Sequence, residues 1–372
     1  MTSAQPRSYY VGSLDGLRLV AFLSVFFQHL PGPASNPFVA KHGWVGVELF
    51  FVISAFLLFH LLKAEDEKNG QVNVRNFYLR RVLRIYPLLF VYYAVMFVAG
   101  GGFAHSFAWF RFAATLLSAD NIVTWFRDYN ESVRAVAHLW TLSFEFQVYL
   151  LLPFVFMAWR KWGTRRFLWG LLIFEIAAFG ARFWAIESGV HYPSVYVIPY
   201  LRPESILLGL TLAVVTPTWK PVLSLLAAVC AGIAFVATPD KTDLWLYFPA
   251  AVMVAGLVDA GLRYPPLRNV LAWRPFRALG IISFGLYVFH VAAIYSVAKV
   301  LQALGVTGPW AGPGITVLGL ILTIAVSAAS YRWLERPFLR LKLRYTAIDG
   351  RGPEGQPLIE SPGELEPQDN RG

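Results

Sequence analysis

Arg18 and His29 stand eleven positions apart inside an apolar run. At 3.6 residues per turn a helix brings that spacing onto one face, within roughly 20° of alignment and about 16 Å apart along the axis. A guanidinium matches anionic oxygen, and an imidazole takes or returns a proton near neutral pH. The pair therefore suits an anionic donor at one depth and a reacting hydroxyl at another. The bland alternative is a helix anchor plus a satisfied core histidine. Asp15, three positions before Arg18 on the same face, weakens that alternative.

His138, Thr141, Glu145 and Tyr149 follow a three-four-four spacing in another apolar stretch, which draws a polar seam along one side of a helix. Thr141 and Tyr149 serve interhelical hydrogen bonding equally well there, at about 1 kcal/mol each. A carboxylate at that depth needs a cation, a proton or a substrate as partner, which sets Glu145 apart. Glu48 lies in Gly43-Trp44-Val45-Gly46-Val47-Glu48 and is expected beside His29, where it would orient the imidazole. Arg80, Arg81 and Arg84 precede Ile85-Tyr86-Pro87. They either anchor a helix end or bind phosphate through arginine's planar donor fork.

These residues need a scaffold that lipid tolerates. Hydrophobic residues make up 57% of the 372 and charged residues 15%, a balance that cannot clothe a water-facing surface. The expected fold class is all-α, a polytopic membrane protein of about ten transmembrane helices. The spans fall near 14–31, 44–62, 85–103, 138–159, 167–186, 197–216, 221–238, 243–262, 278–298 and 313–334. Residues 1–342 form one transmembrane domain. Residues 343–372 form a disordered cytoplasmic tail, with Gly-Arg-Gly-Pro-Glu-Gly followed by acidic, Pro-containing sequence.

Most of the 32 lysines and arginines fall in alternate connections, around 63–84, 160–166, 263–277 and 332–344. The excess of positive charge on one side places both termini in the cytoplasm and the chain in the cell's cytoplasmic membrane. The net charge of +10 is thus a topology signal, and no compact basic module points to nucleic acid. Cys230, the single cysteine, permits neither an intrachain disulfide nor a Cys-based metal site. The connection 104–137 carries Trp109, Phe110, Trp125, Phe126 and Tyr129. It reads either as a segment lying on the membrane or as a cover over a site.

Taken in order, these segments resemble the acyltransferase 3 family of integral membrane acyltransferases, O-acetyltransferase type. The resemblance runs almost end to end. It is carried by Arg18 and His29 at their spacing, by Gly43 to Ser54, by Arg81-x-x-Arg84, and by His138 to Pro153 around Trp140 and Glu145. Further on it is carried by Arg202-Pro203-Glu204 with Gly209, by Gly280 to His290 with Ser283 and Tyr287, and by Glu335-Arg336-Pro337. The resemblance implies transfer of an acyl group, often acetyl, from a coenzyme A thioester to a hydroxyl on a carbohydrate or glycoconjugate. It implies that His29 and Arg18 are essential, with His29 as base or acyl carrier, and that Arg80, Arg81 and Arg84 hold the coenzyme A phosphates; Glu145, set apart by its depth, joins His29 and Arg18 as a catalytic candidate. Glu48, His138, Thr141, Tyr149, Arg202, Ser283 and His290 are then substrate-binding or structural polar positions. No metal and no permanently bound cofactor is expected, with acetyl-CoA or another acyl-CoA as donor substrate. A small hydroxylated metabolite as acceptor, or a sugar or lipid transporter, are the competing expectations. Against the transporter stands the lack of paired broken helices in the two halves.

Overall fold

The computed structural model describes residues 11–99, 106–126, 135–190, 193–215, 217–238 and 244–346, and every regular element among them is helical. The first helix, α1 (Gly12–Gln28), stops ahead of Pro31, which lacks an amide proton and restricts the residue before it. A short α2 (Pro37–His42) leads into α3 (Val45–Asn69), which ends on Gly70 in the left-handed conformation. The chain returns in α4 (Val74–Ala99), then forms the short α5 (Ser106–Leu116) and α6 (Asp120–Phe126).

The long α7 (Trp140–Glu187) is two helices joined across Gly163, whose φ of 74° and ψ of 165° no helix contains. That break separates the two spans expected at 138–159 and 167–186. Beyond it come α8 (Ser194–Val197), α9 (Glu204–Val214), α10 (Pro221–Ala237) and α11 (Tyr247–Arg263). The last elements are α12 (Pro265–Leu271), α13 (Arg274–Ile281), α14 (Ser283–Ala303), α15 (Ala311–Ser330), a π-helical turn at Tyr331–Glu335, and α16 (Arg336–Leu343).

Five stretches are long and apolar enough to cross a membrane: α3, α4, residues 137–187, α14, and residues 308–343. The helices α1, α10 and α11 have 17 residues each and α9 has 11. Large apolar side chains cover the outward faces, with Ile173 65% and Ile233 67% exposed, as lipid contact allows and water would not. The chain is a multi-pass membrane protein.

Several expected boundaries move, each for a local reason. The span expected at 197–216 is helical only from Glu204, because Pro199 and Pro203 interrupt the approach. Lipid cannot satisfy unwound carbonyls, and two arginines do so instead. Arg182 donates to the Leu201 carbonyl at 2.8 Å and Arg202 to that of Tyr196. The span expected at 85–103 starts at Val74, so Arg80, Arg81 and Arg84 lie within α4 and not ahead of it. The span expected at 278–298 is broken at Ile282 into α13 and α14.

The connection expected at 104–137 does not simply lie flat. Arg111 and Asp120 pair at 2.8 Å and are buried, and Asn121 reaches the Val197 carbonyl and Gln147 of α7. Polar burial of this kind makes α5 and α6 a cover on the bundle. Tyr129 and residues 347–372 of the expected tail lie outside the described residues.

Close approach of backbones seats α1. A Cβ on Gly280 would fall 2.0 Å from the Asp15 carbonyl oxygen, and one on Gly16 would fall 2.1 Å from that of Leu271. Glycine at both positions lets α1 cross α12 and α13 in direct backbone contact.

Candidate active site

Ending α1 at Pro31 leaves its last carbonyls without helical donors. His29 caps them. Its backbone N–H faces Val25 O at 3.2 Å and Phe26 O at 3.1 Å, and its side chain Nδ1 donates to Val25 O at 2.8 Å. With the proton assigned to Nδ1, Nε2 carries the lone pair, which is the form a general base needs.

Two further histidines surround it. His290 on α14 donates from Nδ1 to Tyr287 O at 2.6 Å, so its Nε2 is an acceptor, and that atom lies 3.3 Å from His29 Nδ1. His138, just ahead of α7, has its ring centroid 5.0 Å from that of His290 and 6.4 Å from that of His29. Its Nε2 faces Val288 O at 3.2 Å. Among the described residues no three His, Cys, Asp or Glu side chains are grouped to hold a metal ion. The three imidazoles form one cluster at the end of α1, just ahead of α7 and within α14.

From there a polar seam continues along α7. Thr141 Oγ1 and Tyr287 Oη are 2.7 Å apart, and both lie 3.0 Å from the His138 carbonyl. One turn further Glu145 accepts from Ser54 of α3 at 2.5 Å and from Tyr149. The Tyr149 ring in turn faces the Arg81 guanidinium at 5.9 Å. His138 to Tyr149 covers about 16 Å of helix, so the seam connects the arginines of α4 with the histidines through the bundle interior.

The expected site residues divide accordingly. Arg18 pairs with Asp15 at 2.6 Å and stays partly exposed. Glu145 lies within the seam, two turns from His138. Glu48 does not orient His29 as expected. Its carboxylate is bound by Arg202 and by Ser205 Oγ, the latter at 2.6 Å, and Val25 and His290 face His29 Nδ1 instead. The reason is charge: a buried carboxylate is stabilised far more by a guanidinium than by a neutral imidazole. Arg202 is itself enclosed by the rings of Tyr196 at 4.1 Å, Phe144 at 5.3 Å and Trp140 at 5.6 Å, which makes it a clamp between α3 and α9. Ser283 is buried at the first position of α14.

The three arginines of α4 are not equivalent. Arg80 is buried, bound to Glu65 at 2.7 Å and to Tyr345 O at 2.7 Å. Arg81 lies between the Phe77 and Tyr149 rings. Arg84 lies over Phe284 at 5.3 Å and 3.4 Å from Glu335, the last residue of the π-helical turn. Ser54 and Glu335 are the contacts that sequence reasoning gave no role. A lone hydroxyl or carboxylate in an apolar run was the available signal, and neither shows its partner.

A family model described as an acyltransferase domain, acyltransferase 3, matches residues 11–332. The chain belongs to this family. It is similar to the peptidoglycan O-acetyltransferase OatA of Listeria monocytogenes, at 27% identity over 358 residues that cover 88% of this chain and 56% of the relative. A Bacillus subtilis protein provisionally named peptidoglycan O-acetyltransferase YrhL is 26% identical over 365 residues, covering 88% of this chain and 55% of its own. The chain thus spans about half the length of these relatives. No solved structure matches it. The geometry above sets the histidine cluster at one end of a seam of hydrogen-bonded polar side chains and Arg81 at the other.

Proposed function

We propose that this enzyme moves an acyl group, acetyl in the first instance, from a coenzyme A thioester to a hydroxyl of a carbohydrate or glycoconjugate. The observation that carries the reading is His29, capped on Val25 O through Nδ1, the tautomer whose Nε2 can act as a base. Arg81 and Arg84 would hold the donor's phosphates, while Arg80 braces α4. The thioester arm would run along the seam of Tyr149, Glu145 and Thr141. His29 Nε2 takes the acceptor hydroxyl's proton as its oxygen attacks the thioester carbonyl. The carbon–sulfur bond then breaks, and the proton passes from Nε2 to the departing sulfur. Products are the O-acyl ester and free coenzyme A.

Ten crossings complete the topology in this reading. The two arms of α7 count separately, and α1, α9, α10 and α11 cross beside the longer helices. Both termini lie in the cytoplasm, in the cytoplasmic membrane, as the charge distribution argues. The names of the relatives favour a peptidoglycan sugar as acceptor. The test uses purified full chain in vesicles with radiolabelled acetyl-CoA and a pool of glycan acceptors. Label on an acceptor, lost in His29→Ala, supports the reading. Acetyl-CoA that neither binds nor turns over would move the donor to another thioester or ester class.

A further inference from the structure

We infer that Glu175 and Glu204 form a proton-binding site in the bundle, two carboxyl groups that hold one proton between them beside the guanidinium of Arg182. The site lies apart from the acyl chemistry and shares none of its residues. Glu175 stands in the middle of the second, apolar arm of α7. Its neighbours Ile173 and Ile176 turn outward, 65% and 63% exposed. Glu175 itself has neither a hydrogen bond nor an ion pair among the described residues, and its Oε2 is buried. An ionised carboxyl group is costly in such surroundings, and taking up a proton relieves that cost.

The nearby cation is already engaged. Arg182 lies seven residues on, which puts it on the same face of the helix about 10 Å further along the axis. Its Nη1 donates to Glu204 Oε1 at 2.5 Å and to the Leu201 carbonyl at 2.8 Å. Glu204 is the first residue of α9 and is buried, and its other oxygen, Oε2, has no donor. Each carboxyl group therefore keeps one buried oxygen without a hydrogen bond. The fields of Glu204 and Arg182 are the ones that reach Glu175, one repelling its charge and the other attracting it.

Charge balance selects the occupant. Around this volume stand Glu175 and Arg182 from α7, Glu204 from α9, Glu48 from α3 and Arg202 from the unwound turn ahead of α9. Tyr247 of α11 lies among them, its ring 5.2 Å from the Arg182 guanidinium and 5.4 Å from that of Arg202. Glu48 and Arg202 neutralise one another in their own salt bridge. Three carboxylates against two guanidiniums leave one negative charge in a low-dielectric interior. One proton from the aqueous phase removes it, forming an O–H bond on one carboxyl group and leaving the other as acceptor. A metal ion needs more oxygen ligands than two carboxyl groups offer, and among the described residues no three His, Cys, Asp or Glu are grouped to supply them.

Infrared spectroscopy of the full chain in vesicles tests the site, because a protonated carboxyl group shows a C=O stretch that a carboxylate lacks. Wild type at neutral pH should carry such a band, and Glu175→Gln should lose it. Glu204→Gln should lose the same band, since Arg182 is then released to neutralise an ionised Glu175. Glu175→Gln copies the shape of the protonated acid and should keep the wild-type Tm. The double variant Glu175→Gln, Glu204→Gln leaves Arg182 without an anion and should melt below either single variant. A carboxylic band equal in wild type and Glu175→Gln overturns the inference, as does a Glu175→Gln variant that melts well below wild type. A band that appears only when sodium is withdrawn also overturns it, by making the ligand Na+. Should Glu204→Gln fail to fold, the band of Glu175→Gln against wild type decides alone.

Discussion

Arg80 and Glu65 form a salt bridge at 2.7 Å that ties α4 to the end of α3, and the same guanidinium holds the Tyr345 carbonyl beyond α16. Three helices therefore meet on one side chain. Arg81, one residue on, lies instead between aromatic rings, and Arg84, four residues on, lies over Phe284 and reaches Glu335 at 3.4 Å.

Under the proposed function that difference separates a brace from a donor-binding pair. Arg80→Gln leaves a buried carboxylate without its cation and should cost about 3–5 kcal/mol, seen as a lower Tm in detergent, with donor KM unchanged in the protein that remains folded. Arg81→Gln should raise donor KM about tenfold, near the value of one charge-assisted contact, and leave Tm nearly unchanged, whereas Arg84→Gln should raise donor KM and also lower Tm, because buried Glu335 loses its cation at 3.4 Å. Equal effects from all three would assign them one shared role.

His29→Ala should abolish acyl transfer by roughly 100- to 10,000-fold, the range for a lost general base. The side chain is half-buried at a helix end, so the variant should remain monodisperse on gel filtration. Transfer at the wild-type rate would remove His29 from the chemistry.

Gly280→Ala tests the seat of α1. Its methyl carbon would meet the Asp15 carbonyl at 2.0 Å, a backbone atom that cannot turn aside. The helices must separate, and expression of assembled protein should fall sharply. A variant with normal yield and normal Tm would show that α1 and α13 do not touch as described.

Arg111→Gln should loosen the cover without unfolding the bundle. Asp120 loses a buried partner at 2.8 Å, a change costing about 3–5 kcal/mol that falls on α5 and α6 alone. Hydrogen exchange should rise in 106–126 and stay constant in α3 and α7. Uniform acceleration across the chain would contradict a separately anchored cover.

The sequence and the structure agree where periodicity decides and part where pairing decides. Arg18 with His29, and His138 through Tyr149, were legible as faces because helical spacing alone fixes which side a residue occupies. The Gly163 break was legible as a gap between two apolar runs. The contact of His290 with His29 was not, since 261 residues separate them and nothing in either segment names the other. Glu48 looked like a partner for His29 because both sit near the same helix ends, yet the arginine that claims it comes from an unwound turn. Three arginines in one run looked alike because charge in a sequence carries no record of which is already paired.

Glu48 and Arg202 are also separated in time. The chain is made at about 5–20 residues per second, so the 154 residues between them take roughly 8–30 s to synthesise. During that interval α3 exists and its carboxylate lacks the guanidinium of Arg202. The same holds for Arg182, whose partner Glu204 emerges only with α9. Early helices must therefore wait, their ionisable groups turned to water or to the insertion machinery, until the later ones arrive. Assembly of the interior is a late event of the chain's biogenesis, and the order of synthesis sets when the site can exist.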